Sequence, residues 1–102
     1  MRFETTSSLD ADLGRLKGDR LRMFRGVVAD FSAACDEFSR APGYRWPAAL
    51  RVTPMKGTRG IWEMTWSFAS PDGRATFEFV RYGEELVCRW RRIGDHGIFS
   101  NP

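Results

Sequence analysis

The side chains with the greatest chemical potential in this sequence are its arginines and a single histidine. Fourteen Arg stand against two Lys in 102 residues, and His96 is the one imidazole. Arginine forks bind phosphate bidentately and stack on nucleobases, so an arginine-biased chain with a pI near 9.3 indicates a nucleic-acid partner. A GC-rich genome would also favour Arg over Lys, so the positions of the arginines must decide between the two explanations.

The remaining reactive side chains limit other kinds of chemistry. Cys35 lies in a helical pattern and Cys88 in a strand pattern, each on the apolar side, so we expect buried free thiols. One histidine without a nearby cysteine cluster does not supply the usual ligands of zinc, so we expect no metal and no other cofactor. The N-terminus does not resemble a signal peptide, and no stretch reaches the roughly 18 apolar residues of a membrane helix. These features predict an intact cytoplasmic protein without a membrane partner.

The elements that must position these side chains follow from the hydrophobic periods. Residues 2–6 fit a short strand, and the next apolar positions repeat with a helical period on both sides of Gly18. Two helices in a hairpin are therefore predicted, closed by residues 41–43. The candidate N-caps are Ser7 and Ser8 for the first helix and Asp19 for the second.

The second half of the chain changes to a period of two, which is typical of strands. Apolar residues alternate with polar ones through residues 61–68, 75–79 and 86–90, and SPDG at 70–73 is a strong turn signal. The result is a three-stranded meander whose apolar face the helices must cover. We therefore predict one α+β domain over residues 1–102. Its N-terminal strand and helical hairpin pack on one face of a small antiparallel sheet with a C-terminal meander.

The opposite face of the predicted sheet is uncovered and polar. The same alternation puts Ile93 on that face, and the tail carrying His96 leaves the last strand beside it. Such a face can bind nucleic acid, or it can be a solvated surface whose Glu–Arg pairs are each worth a few tenths of a kcal/mol. Its polar members are Glu63, Thr65, Arg74, Thr76, Glu78, Arg89 and Arg91.

Four short motifs occur in order along the chain. PMKG at 54–57 precedes an aromatic strand, GIWEMTW at 60–66. GRATFEFV at 73–80 begins the next predicted strand, and IGDHGIF at 93–99 is the fourth motif. With the preceding strand and helical hairpin, this order resembles the RelE/ParE toxin superfamily of bacterial toxin–antitoxin pairs, particularly its RelE- and HigB-like mRNA interferases. The similar family motifs are P-L-K-G before an aromatic strand, G-x-R-hydrophobic-x-Tyr and I-G-x-H-x-x-Tyr, and the resemblance covers most of the chain.

The resemblance implies that mRNA is cleaved in the ribosomal A site, where a ribose 2′-OH attacks the adjacent phosphate without metal. This reaction needs a base, positive charge on the phosphorane and an acid for the leaving 5′-oxygen. By the resemblance, Arg74 stabilises the phosphate and His96 is the acid. Phe99 replaces the family's terminal Tyr, so it keeps the stacking face and lacks the hydroxyl. The implied partners are the ribosome, mRNA and a small cognate antitoxin.

The general base is less well defined by the resemblance. Some relatives carry Glu where this chain has Thr53, and others carry lysines where it has Glu63 and Thr65. We take Glu63 as the candidate base because it shares a predicted face with Arg74. The candidate RNA-binding residues are Lys56, Arg59, Arg89, Arg91 and Phe99.

Several alternatives remain open at this stage. A ParE-like, non-catalytic gyrase inhibitor is one, although His96 counts against it. Another is a degenerate RNA-binding or antitoxin-binding module, which Phe99 and Thr53 favour. At the level of residues, Arg74 could form a sheet-face ion pair, His96 could cap the last turn, and the arginines of the last strand could guard a sheet edge.

Overall fold

The computed structural model describes residues 1–41, 43–69 and 71–102. Pro42 and Ser70, which belong to two predicted turns, lie outside these ranges. Two helices pack on one face of a five-stranded sheet with the order β1-β5-β4-β3-β2. The elements are β1 Arg2–Thr5, α1 Ser7–Arg15, α2 Gly18–Arg40, β2 Thr53–Pro54, β3 Ile61–Ser67, β4 Gly73–Tyr82 and β5 Glu85–Gly94, with 3₁₀ helices at Ala48–Leu50 and His96–Ser100. The predicted α+β fold is confirmed.

The sheet is mixed, whereas the sequence predicted an antiparallel one. β3, β4 and β5 form the predicted antiparallel meander, but β1 lies parallel to β5, with Phe3 opposite Cys88. Strand direction between elements so far apart in the chain depends on how the connecting helices and strands cross, and the local pattern does not contain it. β2 is a two-residue edge strand between α2 and β3, and its Pro54 is tolerated there because an edge strand has a free side.

The two helices begin differently from the prediction. The cap of α1 is Thr6, whose hydroxyl accepts a hydrogen bond from the Leu9 N–H at 3.1 Å and donates one to the Arg91 carbonyl at 2.9 Å. Ser7 and Ser8 are instead the first two helical residues. Thr6 therefore fixes the start of α1 and ties it to β5.

The second helix lacks a side-chain cap. α2 starts at Gly18, whose φ of +52° lies in the left-handed region that favours glycine, and Lys17 occupies the N-cap position. Asp19, the predicted cap, lies in the first turn and pairs with Arg22. The tight corner between the helices thus depends on the conformational freedom of Gly18.

The core is an aromatic cluster between α2 and the sheet. The fully buried Phe31 ring lies 4.8 Å from Phe77 and 4.9 Å from Trp90, measured between ring centroids. Cys35 and Cys88 are buried free thiols, and a hydrogen bond with Cys35, together with burial, raises the pKa of Cys88. None of the helices within the described ranges is long and apolar enough to cross a membrane.

A β-bulge in β5 changes which side chains face the core. Trp90 pairs with Phe77 and Arg92 with Thr76, so Arg91 is an extra residue between the two pairs. A bulge inserts one residue and reverses the alternation beyond it. Ile93 is therefore only 2% exposed and lies in the core, and its predicted place on the polar face is wrong.

The bulge is held by a buried carboxylate from α1. Asp12 accepts hydrogen bonds from Arg92 Nε at 2.7 Å, from Arg92 Nη2 at 3.2 Å and from the Ile93 N–H at 3.0 Å. Burial raises the pKa of Asp12, but the bonds from Arg92 and Ile93 outweigh it and lower that pKa below its ordinary value. Asp12 thus connects α1 to the irregular part of β5.

Replacing Asp12 with Ala should destabilise the fold by about 2–4 kcal/mol, because Arg92 Nε, Arg92 Nη2 and the buried Ile93 N–H lose their acceptor. Urea denaturation at pH 7 measures this change. Asp10→Asn, an exposed change in the same helix, is the control and should stay within about 0.5 kcal/mol of the parent. A loss as small as that of the control would contradict the role of Asp12.

The same carboxylate predicts a pH dependence. The folded pKa of Asp12 is lowered from 3.8, so its stabilisation is complete above that value and is lost as the pH falls below it. Parent and Asp12→Asn should therefore converge in the free energy of unfolding between pH 5 and about pH 2. Denaturation curves across this range test it, and a constant difference would be inconsistent with the pairing.

Candidate active site

The C-terminal segment returns onto the polar face of the sheet. Ile98 is 6% exposed, and a side chain at Gly94 would come within 2.8 Å of its Cγ2 methyl. Farther along, the Thr76 hydroxyl donates to the main-chain oxygen of Pro102 at 3.4 Å. Thr65 and Thr76 are buried, so the face that the sequence left uncovered is partly covered.

This return brings four side chains together at the turn before β4. Asp72 Oδ2 accepts from Arg74 Nε at 3.0 Å and from Nη2 at 2.7 Å, and the same oxygen lies 3.9 Å from His96 Nδ1. The Phe99 ring centroid lies 5.8 Å from Arg74 Cζ and 5.0 Å from the His96 ring. We call Asp72, Arg74, His96 and Phe99 the turn cluster.

The turn cluster combines a held cation with an accessible imidazole. The Arg74 side chain is 22% exposed, whereas that of His96 is 71% exposed. The hydrogen bond from Arg74 holds the pKa of Asp72 below its ordinary value, so this carboxylate is ionised at neutral pH. An anion can meet Arg74 here beside a group able to transfer a proton.

The backbone under the turn cluster is fixed by Trp66. Its indole N–H donates to the Arg74 carbonyl at 2.8 Å, and its ring lies against Gly73. The Trp66 ring also packs edge-on against Phe24, and the Arg20 guanidinium carbon lies 4.7 Å from its centroid. The core therefore sets the position of the residue between Asp72 and Arg74.

Gly73→Ala should destabilise the fold by about 1–3 kcal/mol, because its Cβ would lie 2.5 Å from Cδ2 and Cε2 of Trp66. Thermal denaturation is the measurement. Gly26→Ala is the matched control, since that helical glycine has open space around it and alanine favours a helix by up to about 1 kcal/mol. Equal stability of the Gly73 variant and the parent would show that Trp66 does not constrain the turn.

Two predicted RNA-binding arginines lie in a separate ion-pair network. Arg89 Nε donates to Glu4 Oε1 at 2.6 Å, and its Nη2 donates to the Tyr82 hydroxyl at 2.9 Å. Arg91 pairs with Glu78 and donates to the Pro102 oxygen at 2.9 Å. Their charges are largely compensated, as in the cross-strand pairing that the sequence left open.

This network also lies away from the turn cluster. Glu78 is four residues beyond Arg74 on β4, which is about 13 Å along a strand. The guanidinium groups of Arg89 and Arg91 therefore meet at Glu78 and not at Arg74. The hydrogen bonds from Arg89 and Tyr82 lower the pKa of Glu4, as expected for a carboxylate held by a cation.

The other predicted site residues lie farther along β3. Glu63 is half-buried and pairs with Thr76, so Arg74 is its diagonal neighbour at about 7 Å. Lys56 and Arg59 are exposed in the loop before Ile61, the end of β3 that faces Glu78. The structure brings Glu63 to the edge of the turn cluster and leaves Lys56 and Arg59 apart from it.

Asp72 is the member of the cluster that sequence reasoning missed. It stands in a Pro-Asp-Gly turn signal, which explains an aspartate without a further role. The available signal was its position two residues before Arg74, since alternate residues share a side of an extended chain. In the parts of the chain that the structure describes, no three His, Cys, Asp or Glu side chains group as metal ligands do.

Comparison with known proteins supports the fold. No family model matches the chain, and no curated protein matches it in sequence. Among solved structures, a YoeB/ParE toxin from Agrobacterium tumefaciens matches with a TM-score of 0.61 and 18% identity, over 94% of this chain and 99% of that one. The chain therefore shares the fold of this YoeB/ParE toxin, which is the fold that its motifs predicted. At this identity the likeness defines the architecture alone.

Proposed function

We propose that this protein is the toxin of a toxin–antitoxin pair and cleaves mRNA on the ribosome. The observation that carries the proposal is the turn cluster, in which Arg74, His96 and Phe99 meet at the end of a RelE/ParE-like sheet. These residues match the motifs that resemble the family's catalytic positions. Their meeting did not follow from the local pattern, because it requires the C-terminal segment to return to the β3–β4 turn.

The proposed reaction is attack of a ribose 2′-OH on the neighbouring phosphate. The O–P bond that forms gives a 2′,3′-cyclic phosphate, and the P–O bond to the 5′-oxygen breaks. Arg74 offsets the charge that develops on the phosphorane, and an electrostatic contact of this kind is worth about 10²–10³ in rate. His96 donates the proton that the leaving 5′-oxygen needs, which suits an imidazole at neutral pH.

Phe99 and Glu63 complete the proposed site. Phe99 is half-buried beside both reactive side chains and offers a base an aromatic face, a contact worth about 1–3 kcal/mol. Glu63, the candidate base, lies diagonal to Arg74 at a separation that a ribose and its phosphate can span. Its carboxylate would take the 2′-OH proton as the attack begins.

The proposal includes the partners of the toxin. The ribosome and its mRNA are the substrate complex, so the protein would act in the cytoplasm. A small antitoxin would inhibit it by covering the turn cluster or by displacing the C-terminal segment. An open reading frame for a small protein beside this gene is the expected genomic arrangement.

Purified protein should cut mRNA only when ribosomes are present. Arg74→Ala should lower the rate about 10²–10³-fold, and His96→Asn should lower it about 10²–10⁴-fold. Arg22→Ala is the charge-matched control, because Arg22 is exposed on α2 and should leave the rate unchanged. Primer extension on translated mRNA measures cleavage and its position.

Full activity of both site variants would overturn the assignment of the site. If the parent blocks supercoiling by gyrase and leaves mRNA uncut, the ParE-like alternative replaces the proposal. If the parent binds ribosome-associated RNA without cutting it, the degenerate binding module replaces it. That outcome would point to Phe99, which replaces the tyrosine of the family motif.

A further inference from the structure

We propose that Asp72 is the positioning residue of the turn cluster, a single carboxylate that orients Arg74 toward a phosphate and holds the ring of His96 for proton transfer. Its catalytic consequence rests on the proposed function, whereas its effect on the two side chains does not. None of the family motifs that this chain resembles includes an aspartate at the position of Asp72.

Asp72 holds Arg74 along one edge of its guanidinium group. One oxygen of the Asp72 carboxylate accepts hydrogen bonds from both Nε and Nη2 of Arg74, and the Phe99 ring centroid lies 5.8 Å from Arg74 Cζ. The guanidinium is thus held along one edge and beside one aromatic ring. Its other edge, formed by Nη1 and Nη2, is the one left for a phosphate, and Nη1 has no hydrogen-bond partner among the described residues. A fork already fixed in orientation loses less freedom when it binds an anion.

Asp72 also lies beside the imidazole of His96. The same Oδ2 lies 3.9 Å from Nδ1, which is too long for a hydrogen bond, so the proposal requires the His96 ring, whose side chain is 71% exposed, to move toward Asp72. A carboxylate at Nδ1 accepts the proton carried there and favours the Nδ1–H tautomer. Nε2 then becomes the nitrogen that faces the substrate.

The proton balance of the step follows from this tautomer. The imidazolium gives its Nε2 proton to the leaving 5′-oxygen as the P–O bond breaks. The ring that remains is neutral and carries its proton on Nδ1, where Asp72 accepts a hydrogen bond from it. Asp72 stays ionised throughout, because the hydrogen bond from Arg74 keeps its pKa low.

Asp72 is the carboxylate positioned for this task. Asp95 precedes His96 in sequence, but its Oδ1 accepts from the Gly97 N–H at 2.8 Å and caps the 3₁₀ helix His96–Ser100. Arg74 is the other charged side chain of the cluster, and Asp72 lies between it and His96. Asp95→Asn is therefore a matched control, since asparagine also caps helices.

The ¹⁵N spectrum of the single histidine tests the positioning directly. At a pH that keeps the ring neutral, the parent and Asp95→Asn should show mainly the Nδ1–H tautomer of His96. Asp72→Ala should shift the population toward Nε2–H, because the acceptor at Nδ1 is lost. An unchanged tautomer population in Asp72→Ala would overturn the inference, whether or not the protein cleaves RNA.

Kinetics on ribosome-bound mRNA test the catalytic consequence. Asp72→Asn keeps an acceptor for Arg74 and removes the charge, so kcat should fall at least about tenfold while KM stays within about twofold. A merely structural role would leave kcat unchanged and would instead lower the melting temperature or raise KM. An unchanged kcat in Asp72→Asn would therefore contradict the inference. If the parent does not cleave mRNA, the proposed function fails, and the tautomer measurement alone decides the role of Asp72.

Discussion

The buried carboxylate of Asp12 is the contact on which the site-bearing end of the structure depends. It binds Arg92 and the Ile93 N–H at the bulge of β5, and Arg92 Nη1 donates in turn to the Asn101 carbonyl at 3.0 Å. One ion pair therefore connects α1, the last strand and the C-terminal segment. Because that segment carries His96 and Phe99, the stability of the fold and the geometry of the turn cluster are linked.

The arginines on the polar face of the sheet differ in their ion-pair partners. A net charge of +3 hides two kinds of arginine on the same face of the sheet. Arg89 and Arg91 lie in an ion-pair network with Glu4 and Glu78, which stabilises strand pairing and leaves little free charge. Arg74 is held by one carboxylate at the end of the sheet, beside an exposed imidazole. Arg74 also forms a one-to-one ion pair, but its Nη1 has no hydrogen-bond partner among the described residues, so a phosphate can approach that edge.

The local periods of the sequence predicted the elements but not their irregularities. A period of two identified the meander correctly, yet Ile93 was placed on the wrong face because a bulge depends on the partner strand and on Asp12. The parallel pairing of β1 depends on chain crossing for the same reason. Motif resemblance singled out Arg74 and His96 as candidates, whereas Asp72 stands in a turn signal that already explains an aspartate there. The C-terminal return that unites them is a tertiary contact without a local pattern.

The central claim is that the turn cluster, and not the Arg89–Arg91 network, receives RNA phosphate. The most direct measurement is NMR titration of ¹⁵N-labelled protein with an oligoribonucleotide, which the protein should bind without cutting because no ribosomes are present. We predict that the side-chain signals of Arg74 and His96 shift together and saturate together. Shifts confined to Arg89 and Arg91, with Arg74 and His96 unmoved, would contradict the account.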